Sequence, residues 1–118
     1  MQRDPRVFLW DVREAADDIA QFTEGLDIDG YEQNKLVRAG VERKFEIIGE
    51  ALNLLARHAP HLAERVKDLR RIVDFRNVLI HGYATVNDEH VWRIAHESLP
   101  GLRETISAML DELGPPEP

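Results

Sequence analysis

Apolar residues recur along most of the chain at intervals of three or four positions, the spacing of one face of an α-helix. The first such stretch carries Phe8 and Ile19 and predicts a helix over about residues 5–24. Asp4 and Pro5 fit its start, because an aspartate side chain accepts hydrogen bonds from free N–H groups there and proline suits the first turn. The chain therefore opens with an amphipathic helix.

A second, longer helical pattern runs from Val37 to Leu55. Asp29 and Glu32 have the spacing of a capping box, so we expect the helix to begin there. Its apolar face is wide, which predicts a helix covered on more than one side. Pro60 is expected to end it, since a proline ring clashes with the preceding turn, and the following HLAERV predicts a short helical turn.

Two further helices complete the pattern. The third covers Leu69–Ile80, and Gly82 is expected to close it in the left-handed conformation. Asn87 suits the N-cap of the fourth helix. Pro100 falls inside the apolar pattern of that helix and is expected to kink or split it, because proline lacks a backbone donor.

The helical spacing predicts an all-α fold, an antiparallel bundle of four main helices in one domain over residues 1–113, with a flexible tail at 114–118. The chain has 118 residues, 43% of them hydrophobic and 31% charged, which is typical of a globular protein. The absence of cysteine excludes a disulfide scaffold and fits a reducing cytoplasm. No apolar run has membrane-spanning length, so we expect a cytoplasmic protein without membrane association.

The net charge of −7 argues against nucleic-acid binding, because phosphates require cationic partners. Its distribution changes this picture, since residues 65–76 hold five basic and two acidic residues, a local net charge of +3. The candidate phosphate-binding side chains that precede Arg76 in this segment are Arg65, Lys67, Arg70 and Arg71. The alternative interpretation is a solvated helix face, which is the commoner meaning of a charged run.

Arg76 occupies a position on the apolar stripe where leucine or valine is expected. Such a break in the pattern is typical of a functional site. The structural alternative is an arginine that reaches the surface or pairs with Glu46 or Glu50 of the second helix.

His81 follows five residues later, at the predicted end of the third helix, and Asn77 lies one turn before it, where its amide is expected to orient the imidazole. Histidine transfers protons near neutral pH, and arginine stabilises charge on a phosphate. These residues therefore fit phosphodiester cleavage without a metal. One histidine serves poorly as base and acid at once, and a symmetric dimer would supply a second. The alternative role for His81 is a charge partner of the helix C-terminus.

Metal binding has little support in the sequence. His58 and His61 are three residues apart, but Pro60 lies between them and no carboxylate follows at a matching spacing. There is no glycine-rich phosphate loop and no nucleophile elbow. We expect no metal site and no cofactor. Trp10 and Trp92 are expected to be core or interface aromatics.

The segment from Arg76 to Tyr83, RNVLIHGY, resembles the motif of the HepT-like branch of the HEPN superfamily, in which arginine, four residues, histidine, one residue and tyrosine follow one another. Residues 41–55, VERKFEIIGEALNLL, resemble the second-helix segment of that family, and residues 86–106 resemble its last helix. Three segments in the same order make the resemblance strong, and it covers about 100 of the 118 residues.

This resemblance implies a dimeric HEPN-like bundle with metal-independent endoribonuclease activity, the toxin of a type VII-like toxin–antitoxin module. It implies that Arg76 and His81 are catalytic and that Asn77 matches a supporting polar position. It also implies a partner, an MntA-type nucleotidyltransferase antitoxin that adenylylates Tyr83. A hypothesis of a different class is a non-catalytic helical partner of a nucleotidyltransferase, which the acidic surface outside residues 65–76 favours because it repels RNA.

Overall fold

The computed structural model describes residues 4–82 and 86–114, and within these ranges it is helical and contains no strand. The helices are α1 (Pro5–Phe22), α2 (Ile28–Gln33), α3 (Lys35–His58), α4 (Pro60–Ala63), α5 (Leu69–His81), α6 (Asp88–Arg93) and α7 (Leu99–Leu113), with a π-helical segment, Ile94–Ser98, joining α6 to α7. The all-α helical bundle predicted from the sequence is confirmed. None of the described helices is both long enough and apolar enough to cross a membrane.

Helix α3 forms the centre of the bundle. It packs against α1 and α5, and α7 packs against α1. The core includes Val12 of α1, Phe45 and Leu52 of α3, Phe75 of α5 and Ile106 of α7, all of them buried. The prediction that this helix is covered on more than one side is therefore confirmed.

The start of the central helix differs from the sequence prediction. The Asp27 carboxylate accepts a hydrogen bond from the Gly30 N–H at 2.8 Å and caps α2, so the capping box predicted at Asp29 is wrong. Asn34 then ends α2, and its side-chain oxygen accepts a hydrogen bond from the Val37 N–H at 3.0 Å to cap α3. Two caps seven positions apart thus divide what the sequence prediction joins into one helix.

The first helix begins as predicted, because the Asp4 carboxylate accepts a hydrogen bond from the Arg6 N–H at 3.0 Å. It ends at Phe22, two residues before the predicted end, where the Thr23 hydroxyl donates to the Ile19 carbonyl at 2.9 Å. Helix α3 ends ahead of Pro60, and the short helical turn expected after it is present as α4.

The later boundaries follow the sequence with one exception. Helix α5 ends at His81, but Gly82 has φ −110°, so the predicted left-handed closure is wrong. Asn87 caps α6 as predicted, with its side-chain oxygen accepting from the His90 N–H at 3.1 Å. Pro100 lies in the first turn of α7, directly after the π-helical segment, so the kink or split predicted for the last helix corresponds to a π-helical interruption within a continuous helical run.

The two tryptophans differ in burial. Trp10 is 41% exposed, so it lies outside the core. Trp92 is half-buried and packs against the buried Tyr31, with ring centroids 5.4 Å apart. The tail predicted at 114–118 stays a prediction, because residues 115–118 lie outside the described residues.

Candidate active site

Arg76 is held by two side chains at the contact between α5 and α3. Its Nη2 donates to Glu50 Oε2 at 2.6 Å, and its Nη1 donates to Asn77 Oδ1 at 3.1 Å. The Nε–H is buried and has no hydrogen-bond partner within the described part of the chain. Of the two glutamates considered as partners from the sequence, the structure therefore selects Glu50.

The path of the Arg76 side chain is set by a close approach of the two helices at Gly49. A Cβ atom added to Gly49 would lie 2.6 Å from Cγ of Arg76 and closer still to its Cβ. One turn away, Phe45 and Phe75 pack edge to face with ring centroids 5.3 Å apart, a geometry that stabilises aromatic pairs by about 0.5–1.5 kcal/mol beyond area burial. Arg76 therefore leaves α5 directly against the α3 backbone.

A groove of about 340 Å³ lies between α1, α3 and α5, and Arg76 forms part of its wall. Charged side chains of both signs and apolar side chains line it together: Phe8, Asp11, Arg43, Glu46, Ile47, Glu50, Ala51, Leu54, Arg76 and Ile80. The Arg76 side chain is 25% exposed and that of Glu50 is 47% exposed. The ion pair is thus accessible from the groove.

His81 is exposed and is the last residue of α5. Five positions along an α-helix correspond to a rotation of about 140° and a rise of about 7.5 Å. Arg76 and His81 therefore leave the helix in different directions. The described contact of Asn77 is with Arg76, so the expectation that Asn77 orients His81 stays a prediction. Tyr83 lies outside the described residues.

The candidate phosphate-binding side chains of residues 65–76 divide into two groups. Arg65 pairs with Glu112 of α7 at 2.6 Å, and this hydrogen bond holds the pKa of that carboxyl below its ordinary value. Lys67 and Arg71 line a second groove of about 420 Å³ between the start of α5 and α7. Arg70 is exposed, and within the described ranges none of Lys67, Arg70 and Arg71 forms an ion pair. Three cations thus remain available to an anionic ligand.

Comparison with known proteins places this arrangement in a family. Residues 12–109 match the family model described as "Ribonuclease HepT-like". The chain belongs to the HepT-like ribonuclease family. The matched residues include the candidate catalytic residues Arg76 and His81 and the basic residues of segment 65–76.

Relatives of this chain match it over most of their length. "Putative RNase MJ1380" of Methanocaldococcus jannaschii is 32% identical over 105 residues, which cover 89% of this chain and 95% of the relative. "Probable ribonuclease HepT" of Thermococcus cleftensis is 29% identical over 103 residues, which cover 87% of this chain and 93% of the relative. No solved structure matches.

Three of the four other histidines, His58, His90 and His96, have ring contacts. His58 stacks on Phe8 with ring centroids 6.0 Å apart. His90 lies edge-on to Phe75, and His96 packs against Trp92 with ring centroids 4.0 Å apart and a tilt of 32° between the rings. No group of three histidine, aspartate or glutamate side chains able to hold a metal ion occurs among residues 4–82 and 86–114.

A partly buried polar cluster where α2, α3 and α6 meet was missed by the sequence reasoning. Arg38 Nη1 donates to Asp88 Oδ2 at 3.2 Å, while the Tyr31 hydroxyl and the Arg38 Nε are buried without a hydrogen-bond partner in the described part of the chain. Burial raises the pKa of Tyr31 and that of Glu42. No spacing in the sequence indicates this cluster, because its members come from three separate elements.

Proposed function

We propose that this HepT-like chain is a metal-independent endoribonuclease that acts in the cytoplasm as the toxin of a type VII-like toxin–antitoxin module. The observation that carries the proposal is Arg76, which is held at an open groove on the same helix as an exposed His81. Each terminal nitrogen of Arg76 keeps one N–H that no described residue accepts, and a phosphate oxygen can accept both.

The chemistry follows from the nucleophile that RNA itself carries. His81 takes the proton of a ribose 2′-hydroxyl, whose oxygen then bonds to the adjacent phosphorus. The bond from phosphorus to the 5′-oxygen breaks, and that oxygen receives a proton from an imidazolium. The products are a 2′,3′-cyclic phosphate and a 5′-hydroxyl. Arg76 stabilises the charge that develops on the phosphoryl oxygens, and Asn77 supports the guanidinium.

A homodimer supplies the second imidazole. Two copies related by a two-fold axis present two Arg76 and two His81 side chains to one another. The different directions in which these residues leave α5 support this arrangement, since a two-fold axis would let Arg76 of one copy and His81 of the other face one phosphate. The half-buried apolar side chains of Ile47, Leu54 and Ile80 in the Arg76 groove also support it, because a second copy would bury them.

RNA binding outside the cleavage site is assigned to the basic segment. Lys67, Arg70 and Arg71 are the residues of this segment that would neutralise backbone phosphates. Arg65 contributes less, because its guanidinium already donates to Glu112. Binding through such contacts weakens as salt increases, since counterions are released when phosphates are neutralised.

Expression without the partner tests the proposal. Cells that produce the wild-type chain alone should stop growing and show fragmented RNA, whereas cells that produce His81→Ala at the same level should grow. Purified wild-type protein should cleave RNA in the presence of a chelator, because no step uses a metal. Equal toxicity and equal RNA cleavage by the two proteins would exclude the proposed role of His81.

The proposed antitoxin is an MntA-type nucleotidyltransferase that adenylylates Tyr83. The added phosphate is anionic, and close to Arg76 and His81 in sequence it would compete with RNA for both. Mass spectrometry of the chain co-expressed with its partner should show the mass of one AMP on the peptide that contains Tyr83. An unmodified Tyr83 in fully neutralised protein would contradict this mode of control.

One observation favours a second candidate function, that of a non-catalytic partner of the nucleotidyltransferase. Three carboxylates, those of Asp11, Glu46 and Glu50, line the groove beside Arg76 and would repel an RNA phosphate there. Under this alternative, purified protein binds the transferase tightly and cleaves no RNA at any salt concentration.

A further inference from the structure

We propose that Glu50 is a positioning residue for Arg76, which fixes the direction in which the guanidinium presents its free N–H groups to a phosphate. This inference rests on the proposed ribonuclease function and adds a residue to it. Glu50 lies on α3 and is 26 positions from Arg76 in the sequence. It would act through Arg76 and would not itself touch the reacting atoms.

Two contacts define the guanidinium plane. Glu50 of α3 accepts a hydrogen bond from Nη2, and Asn77 of α5 accepts one from Nη1. The two terminal nitrogens of the guanidinium are therefore held by side chains of two different helices. The fork geometry of arginine is rigid, and fixing both terminal nitrogens fixes the whole group. The Asn77 contact alone would leave the guanidinium free to rotate about its remaining torsions.

The backbone approach at Gly49 adds a second constraint. Because α3 and α5 meet there without room for a Cβ atom, the first carbons of the Arg76 side chain lie against the α3 backbone. The buried Nε shows that the side chain is confined as far as the guanidinium. Glu50 follows Gly49 directly, so the residue that permits the close approach is next to the residue that receives the guanidinium.

Charge alone does not account for this pair. An ion pair with one partner about half exposed contributes about 0–1 kcal/mol to stability. A carboxylate beside the phosphate site also opposes the binding of RNA by repulsion. A favourable effect of Glu50 on cleavage must therefore come from geometry, since a small misplacement of a catalytic group lowers rates strongly.

The test compares Glu50→Gln and Glu50→Ala with wild type. The glutamine oxygen can accept the same hydrogen bond, so Glu50→Gln should keep kcat within about threefold, whereas Glu50→Ala should lower kcat about tenfold or more with little change in KM. Asp17→Ala is the matched control, because Asp17 also pairs with an arginine of another helix, Arg103, away from the groove. It should leave kcat unchanged. Cleavage by Glu50→Ala at or above the wild-type rate would overturn the inference.

A second measurement keeps this inference separate from the proposed function. A wild-type protein that cleaves no RNA would contradict the proposed function. NMR of the Arg76 side-chain N–H groups tests whether Glu50 holds the guanidinium, and this measurement does not depend on cleavage. The Arg76 signals, assigned by their loss in Arg76→Lys, should be sharp and protected in wild type and Glu50→Gln and should exchange rapidly in Glu50→Ala. Unchanged signals in Glu50→Ala would show that Glu50 does not hold the guanidinium.

Discussion

Gly49 of α3 and Arg76 of α5 meet so closely that a Cβ atom at position 49 would lie 2.6 Å from Cγ of Arg76. The φ of Gly49 lies outside the left-handed region, so its backbone conformation does not require glycine. Glycine is required at this position because there is no space for a side chain. The contact joins the packing of the bundle to its candidate catalytic arginine. A change in the distance between α3 and α5 therefore moves Arg76.

Gly49→Ala should destabilise the fold and impair cleavage together. The added methyl group collides with the Cγ of Arg76 and with its Cβ, and the Cβ atom cannot move without moving α5. Overpacking of this kind costs about 1–3 kcal/mol, measurable by urea unfolding. Gly101→Ala is the control, because a Cβ atom there meets nothing within 4 Å, and it should leave stability unchanged or raise it. Wild-type stability of Gly49→Ala would contradict the close approach.

Arg76→Lys should fold and lose most of its activity. Lysine keeps the charge but has no rigid fork with which to donate to Glu50, Asn77 and a phosphate at once. Removal of a group that stabilises developing charge lowers kcat about 100-fold or more. Single-turnover cleavage of a fluorescent RNA measures the loss, and circular dichroism checks the fold. A rate within threefold of wild type would show that only charge is needed.

Lys67→Gln and Arg71→Gln should weaken RNA binding with a smaller dependence on salt. Each removes one cation near the start of α5 that has no ion pair within the described part of the chain, and each lost phosphate contact lowers the slope of log K against log salt concentration by about 0.7–0.9. Arg65→Gln is the comparison, because Arg65 is already paired with Glu112. Affinity measured at several salt concentrations on a His81→Ala background checks this. Equal losses in all three variants would contradict the division of the basic segment.

Glu42→Gln should raise stability at neutral pH. Burial raises the pKa of Glu42, and the nearby Asp88 raises it further while Arg38 opposes the change. The folded state therefore binds a proton at Glu42 more tightly than the unfolded state does. This proton binding adds to the free energy of unfolding at low pH, and the added stability is lost as the pH rises through the folded pKa. The Tm of Glu42→Gln should exceed that of wild type near pH 7.

The same comparison near pH 4 supplies the control. As the pH falls, the carboxyl of Glu42 takes up a proton in wild type and the cost of burying its charge is removed, so the difference in Tm between the two proteins should be smaller near pH 4 than near pH 7. Glu104→Gln, at an exposed position of α7, should show no comparable change between the two pH values. A lower Tm for Glu42→Gln than for wild type at neutral pH would contradict this prediction. It would show that the attraction of the Glu42 carboxylate to Arg38 outweighs the cost of burying its charge.

The helices were predictable because each depends on neighbours in the sequence. The apolar spacing indicated α1, α3 and α5, and the caps at Asp4 and Asn87 were recognised from residue type alone. The break at Asn34 was missed because the capping-box spacing of Asp29 and Glu32 placed the start of the whole helix ahead of it. The conformation of Gly82 was also missed, since a glycine after a helix permits the left-handed region without requiring it.

Periodicity and motif spacing are properties of the linear chain, and they suffice to predict an all-α protein and the candidate residues Arg76, Asn77 and His81. The packing of the helices, in contrast, makes Glu50 the acceptor of the Arg76 hydrogen bond, places Gly49 against the Arg76 side chain, and pairs Arg65 with Glu112. Each of these is a contact between separate elements. Such contacts depend on how closely and at what rotation two helices pack, which side-chain volumes across the whole core determine together.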